Sequence, residues 1–160
     1  MNKPVNFEIA KMLKEKGWNK PTLHFFFEDG VQIENSYEDT VGMDYGSPFE
    51  VEFYELTSNW NSGWVKKKDG SMCFGCDKSK GYLDIYSAPT IADVVMWLYE
   101  KHGIWIECLH RGDMGDFTFK VSKLKKRWRT EPHYLHDKGF SSPTEAYEAA
   151  IDYTLKNLIP

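Results

Sequence analysis

The stretch Thr90-Ile91-Ala92-Asp93-Val94-Val95-Met96-Trp97-Leu98-Tyr99-Glu100-Lys101-His102-Gly103-Ile104-Trp105-Ile106-Glu107-Cys108 decides how this chain folds. Thr90 and Asp93 have the spacing of a reciprocal capping box, in which hydroxyl and carboxylate each satisfy a backbone N–H left over at a helix start. Behind the cap, Ile91, Val94, Val95 and Leu98 form one apolar helical face. Gly103 stops the helix, and the pattern then changes to strict alternation, with Ile104, Ile106 and Cys108 against Trp105, Glu107 and Leu109. Residues 111–115 turn this strand back into Phe117, Phe119 and Val121, an antiparallel hairpin.

The same signals extend outward. Ser142, Pro143 and Glu145 read as cap, first helical position and closing carboxylate of a further helix. Its stripe of Tyr147, Ala150, Ile151, Thr154 and Leu158 is expected to dock on the sheet. Near the start, Asn6 caps a helix over residues 7–16, closed by Gly17 and Trp18. After Pro21 the chain is aromatic and extended, with Leu23, Phe25 and Phe27 on one face and His24 and Phe26 on the other. Asp29-Gly30 then turns it into Val31 and Ile33. Residues 82–86 form a short strand, and Phe49, Val51 and Phe53 alternate with Glu50, Glu52 and Tyr54 as a strand with one acidic face. The expected class is therefore α+β, antiparallel β hairpins packed with about three helices. They form a single compact domain, 1–160, or two lobes, 1–56 and 82–160, joined by the loop-rich segment 57–81. Both halves run helix, glycine stop, aromatic strand and hairpin return, which suggests a divergent internal repeat.

Composition restricts the function classes. Aromatic residues make up 16% of the 160 residues although the mean hydropathy is only -0.56, so much of the apolar area sits in rings, in a core or a binding face. A net charge of -4 argues against general, charge-driven nucleic-acid binding. No apolar run approaches the length of a membrane span, and the first residues do not read as a signal peptide. Three cysteines, an odd number, point to reduced thiols and a cytoplasmic setting.

Ser87-Ala88-Pro89-Thr90 followed by Trp97-Leu98-Tyr99-Glu100-Lys101-His102-Gly103-Ile104, together with Phe140-Ser141-Ser142-Pro143-Thr144-Glu145-Ala146, resembles a family of small uncharacterised proteins carried by phages and prophages of anaerobic gut bacteria. In that family an Ala-Pro-Thr capped helix ends Trp-Leu-Arg-Glu-x-x-Gly-Ile, and a final helix carries Glu-Ala-x-x-Ala; Tyr99 stands here where the family has Arg. Phe7-Glu8-Ile9-Ala10-Lys11-Met12-Leu13-Lys14-Glu15-Lys16-Gly17 adds to the likeness, which covers about half the chain. The resemblance implies an accessory or host-modulating protein of a bacterial cytoplasm and supplies no catalytic residues.

Two clusters carry candidate chemistry. Lys120, Lys123, Lys125, Lys126, Arg127 and Arg129 place six basic residues within ten around Trp128, a combination that holds phosphates and stacks bases. A solvated loop, or a partner for the acidic run 28–55 within the molecule or across a homodimer, is the structural alternative. Trp60, Trp64 and Tyr134 also fall in polar or basic stretches, so they join Lys125, Lys126, Arg127, Trp128 and Arg129 as candidate ligand contacts. Cys73 and Cys76 have C-x-x-C spacing, with His133 and His136 as the other half of a weak zinc site and Cys108 and His110 as looser substitutes. An ordinary loop is the favoured reading, so neither a metal nor a cofactor is expected. The double-stranded RNA-binding domain shares the helix–strands–helix order, but it opens its last helix with lysines, and here that opening is Pro143-Thr144-Glu145-Ala146-Tyr147-Glu148. His102, in a last helical turn, suits the helix dipole better than ligation.

Three functions compete. A non-enzymatic binding protein for a host protein or a nucleotide-like ligand leads. An enzyme acting on nucleotides or nucleic acid, built from His24, glutamates such as Glu50, Glu52 and Glu55, and His133 or His136, is the second. A self-associating structural protein is the third.

Overall fold

Thr90 starts its helix as its spacing suggests: its hydroxyl accepts the Asp93 N–H at 3.2 Å, and the Asp93 carboxylate accepts the Thr90 N–H at 3.2 Å. Gly103 ends it in the left-handed conformation at φ 64°, donating to the Tyr99 carbonyl at 3.0 Å. Thr90→Ala is expected to cost about 1 kcal/mol, the usual worth of such a cap. That loss lowers Tm by about 2–8 °C in a thermal melt followed by circular dichroism; an unchanged Tm contradicts it.

The computed structural model describes residues 2–28, 30, 32–34, 64–66, 72–74, 83–125 and 129–160. Among them the helices are α1 (Phe7–Glu15), α2 (Ile91–His102) and α3 (Pro143–Asn157). The strands are β1 (His24–Phe27), β2 (Gln32–Glu34), β3 (Trp64–Lys66), β4 (Met72–Phe74), β5 (Leu83–Ala88), β6 (Ile104–Arg111), β7 (Asp116–Lys125) and β8 (Arg129–Leu135). The fold is α+β, and every strand pairing is antiparallel.

The chain divides into two compact units, Ala10–Pro89 and the combination of Met1–Ile9 with Thr90–Pro160. These bounds differ from the lobes 1–56 and 82–160: the first nine residues belong with the C-terminal part, and 57–81 is not merely a joining loop. That segment supplies β3 and β4 to a sheet ordered β2-β1-β5-β3-β4. β5 changes partner along its length, with Ile85–Ala88 against β1 and Leu83 and Asp84 against β3. The hairpin expected at Asp29-Gly30 is present as β1 against β2, with Phe26 opposite Gln32. Phe25, Phe26 and Phe27 are all buried, so β1 lacks the exposed face that simple alternation allows. The strand expected around Phe49 and Phe53 lies outside the described residues.

In the other unit, β6, β7 and β8 form a three-stranded sheet packed against α2 and α3. Ala146, Ala150, Ile151, Thr154 and Leu155 of α3 are buried, as are Val94 and Leu98 of α2. Thr154 is accommodated because its hydroxyl donates to the Ala150 carbonyl at 2.7 Å. Ser142 caps α3 by accepting the Glu145 N–H, but the Glu145 carboxylate accepts from Ser141, one residue earlier, so the expected reciprocal box does not close. Among the described residues, no helix is long and apolar enough to cross a membrane.

Candidate binding face

Register assigns each side chain of the three-stranded sheet to one of two faces. Ile106 lies opposite Val121, and Cys108 opposite Phe119; between them, Trp105 lies opposite Ser122, Glu107 opposite Lys120, and Leu109 opposite Thr118. On β8, Tyr134 is level with Val121 and Leu135 with Lys120. The first set faces the helices. Ile104, Ile106, Phe119 and Val121 are buried there, and the Phe119 ring meets His136 at 4.9 Å, Tyr134 at 5.8 Å, Phe140 at 5.9 Å and Tyr153 of α3 at 6.4 Å.

In the second set the large side chains of the outer strands are exposed, whereas Thr118 and Ser122 of the central strand are buried. Trp105 is 37% exposed, Leu109 39% and Leu135 60%. Tyr99, at the end of α2, sets its ring edge-on to Trp105 at 5.7 Å. Glu107 and Lys120 form an ion pair of 3.3 Å in the middle of this face, so their charges offset each other within an apolar surround. Thr118 is buried beside them and donates its hydroxyl to the His136 carbonyl at 2.6 Å. Exposed large apolar side chains gathered on one sheet face are a feature that interaction surfaces share.

The far end of the sheet is held by the Arg111 guanidinium. It donates to both Asp116 oxygens, at 2.7 and 2.5 Å, and to the Asp137 carbonyl at 2.8 Å. The hydrogen bond from Arg111 keeps the Asp116 carboxyl below the usual carboxylate range. Phe140 closes the same end by exchanging backbone hydrogen bonds of 3.0 and 2.7 Å with Phe117.

Only some of the residues expected to hold a ligand lie among the described ones. The basic run is not a loop up to Lys125: it is the second half of β7, and alternation sends Lys120 and Lys123 to opposite faces. Lys125 and Arg129 are level with each other where β7 and β8 pair. Lys126, Arg127, Trp128 and Trp60 lie outside the described residues, and Trp64 belongs to β3, opposite Phe74. Tyr134 is a strand residue stacked on Tyr153 at 4.1 Å, which gives it a packing role in place of the loop position expected.

The metal and acid–base candidates divide similarly. Cys73 belongs to β4 and His133 to β8, while Cys76, Glu50, Glu52 and Glu55 lie outside the described residues. The His136 ring stacks on Phe119, with Nδ1 3.1 Å from the Lys138 carbonyl. Among the described residues, no group of three or more His, Cys, Asp or Glu is arranged to hold a metal. Burial pushes the Cys108 thiol up, away from the reactive thiolate. His24 belongs to the Ala10–Pro89 unit and His136 to the other. The His102 ring sits edge-on to Trp97 at 4.8 Å, and burial, then Lys101 and Lys123, push its pKa down.

Trp105, Leu109 and Leu135 were not among the sequence candidates. Alternation against Ile104, Ile106 and Cys108 already places Trp105 and Leu109 off the core face. What identifies them is the docking of α3 on the other side. No family model matches the chain, and comparison with curated proteins and with solved structures likewise finds no match.

Proposed function

We propose that this chain is a non-enzymatic binding protein that holds a protein partner against the open face of the β6–β7–β8 sheet. The observation that carries the reading is the exposure of Trp105, Leu109 and Leu135 together on a face whose central charges are already paired. A protein suits this face better than a nucleotide. Lys120, the basic residue at its centre, is engaged with Glu107, and large apolar side chains surround the pair. The likeness to phage-borne accessory proteins makes a bacterial host protein the partner to look for.

A double variant, Trp105→Asp with Leu135→Asp, tests the reading. Tagged wild-type protein purified from its native cells is expected to retain at least one protein about tenfold above an unrelated bait. The variant is expected to lose it, with its circular dichroism spectrum unchanged. An identical set of retained proteins for both forms rejects the reading.

A further inference from the structure

We infer that His102 is a proton-sensitive latch: when its ring takes up a proton, the last turn of α2 opens away from the end of β7. The placement of the ring carries the inference. His102 is the final residue of α2, and its side chain stands edge-on to the buried indole of Trp97 at 4.8 Å. Its Nε2 is sealed from solvent and has no hydrogen-bond partner. A neutral imidazole leaves only a lone pair unmatched at that atom. An imidazolium carries an N–H on both nitrogens, so Nε2 becomes a charged, buried donor without an acceptor.

The charges around the ring act in the same direction. Lys101 precedes it on α2 and holds its ammonium 5.2 Å from the Trp97 ring centre. Lys123, on β7, is level with Ile104, two residues beyond His102. Among the described residues no carboxylate pairs with the imidazole. Burial, then Lys101 and Lys123, accordingly hold it below the ordinary histidine range. The C-terminal end of the helix dipole favours a cation, but its charge of about one half is set against two full ones.

Opening hydrates the ring and returns it to the ordinary value of about 6.5. The open form therefore binds protons more readily than the closed form. The closed turn keeps its full advantage above about pH 6.5 and loses up to about tenfold per pH unit as the pH falls towards the pKa of the closed form. Two backbone hydrogen bonds define what opens: Gly103 N–H to the Tyr99 carbonyl at 3.0 Å, and Leu124 N–H to the Gly103 carbonyl at 2.8 Å. Tyr99 belongs to the same turn and meets Trp105 at 5.7 Å, so the opening reaches the exposed side chains of β6.

Amide hydrogen exchange followed by NMR on the full chain, corrected for the intrinsic pH dependence of exchange, tests the inference. Protection of Gly103 and Leu124 is expected to fall by up to about tenfold per unit below about pH 6.5. Protection of Phe117 and Phe140, at the other end of the sheet, is expected to stay constant. The His102 ring is expected to titrate below about 6.5 in the same samples. His102→Gln, neutral throughout, is expected to abolish the pH dependence at Gly103 and Leu124. A His102 ring that titrates at or above the ordinary value overturns the latch. So does protection at Gly103 and Leu124 that ignores pH, falls equally at Phe117 and Phe140, or responds to pH in His102→Gln as in the wild type. If the variant does not fold, the wild-type titration and exchange decide alone.

Discussion

Phe119→Ala is expected to destabilise the unit formed by Met1–Ile9 and Thr90–Pro160 by about 3–5 kcal/mol, in the upper range for a buried side chain. Phe119 is 1% exposed and lies in the central strand of its sheet, and its ring contacts four others, from Tyr134, His136, Phe140 and Tyr153. Truncation removes the transfer free energy of the ring and leaves a cavity between β7, β8 and α3. Those elements cannot close it, because the Tyr134–Tyr153 stack and the Phe117–Phe140 backbone pair fix its walls. Urea unfolding followed by circular dichroism measures the loss, and Phe119→Leu, which retains most of the volume, is expected to lose much less. A loss below about 1 kcal/mol for the alanine variant would show that the cluster is not the core of this unit.

Gly139→Ala is expected to cost up to about 1 kcal/mol, because its methyl group displaces the ends of two side chains that form a partly exposed ion pair. A Cβ built there overlaps the Asp116 carboxylate and lies 2.5 Å from Arg111 Nη2, so the bidentate pair must open or the chain must move away from it. Either displacement loosens the Arg111 bond to the Asp137 carbonyl and the adjoining Phe117–Phe140 exchange. Gly112, in the turn between β6 and β7, is the control: a Cβ there meets no atom within 4 Å, so Gly112→Ala is expected to be near neutral. Urea denaturation of the pair of variants separates a steric effect from a general cost of losing glycine. Equal stabilities for the two variants contradict the steric account.

The two expected losses differ in how far they were legible beforehand. Phe119 was placed in the core by its alternation with Phe117 and Val121, a pattern contained within one strand. Gly139 carried no signal. Its importance comes from a guanidinium 28 positions earlier that reaches across the end of the sheet, and no local periodicity encodes such an approach. β3 and β4 were missed for a related reason. Three residues each are too few to show alternation, and they become strands because β5 offers one of them an edge. Of the basic run, Lys120 and Lys123 stand at odd separation on one strand, so they point to opposite faces, while Lys126, Arg127 and Trp128 lie outside the described residues.

The sequence by itself determined the elements whose stabilising interactions close over a few residues. These are the Thr90–Asp93 box, the Gly103 stop, the apolar stripe of α2, and the alternation that pairs β6 with β7. The tertiary structure alone decided which side of that sheet the helices cover, and so which large side chains stay exposed. Local hydrogen bonds and periodicity choose an element's conformation, whereas exposure depends on what docks against it from far along the chain. Trp105 and Leu109 become candidates for binding only because Phe119 and Val121, level with their neighbours on β6, meet the helices first.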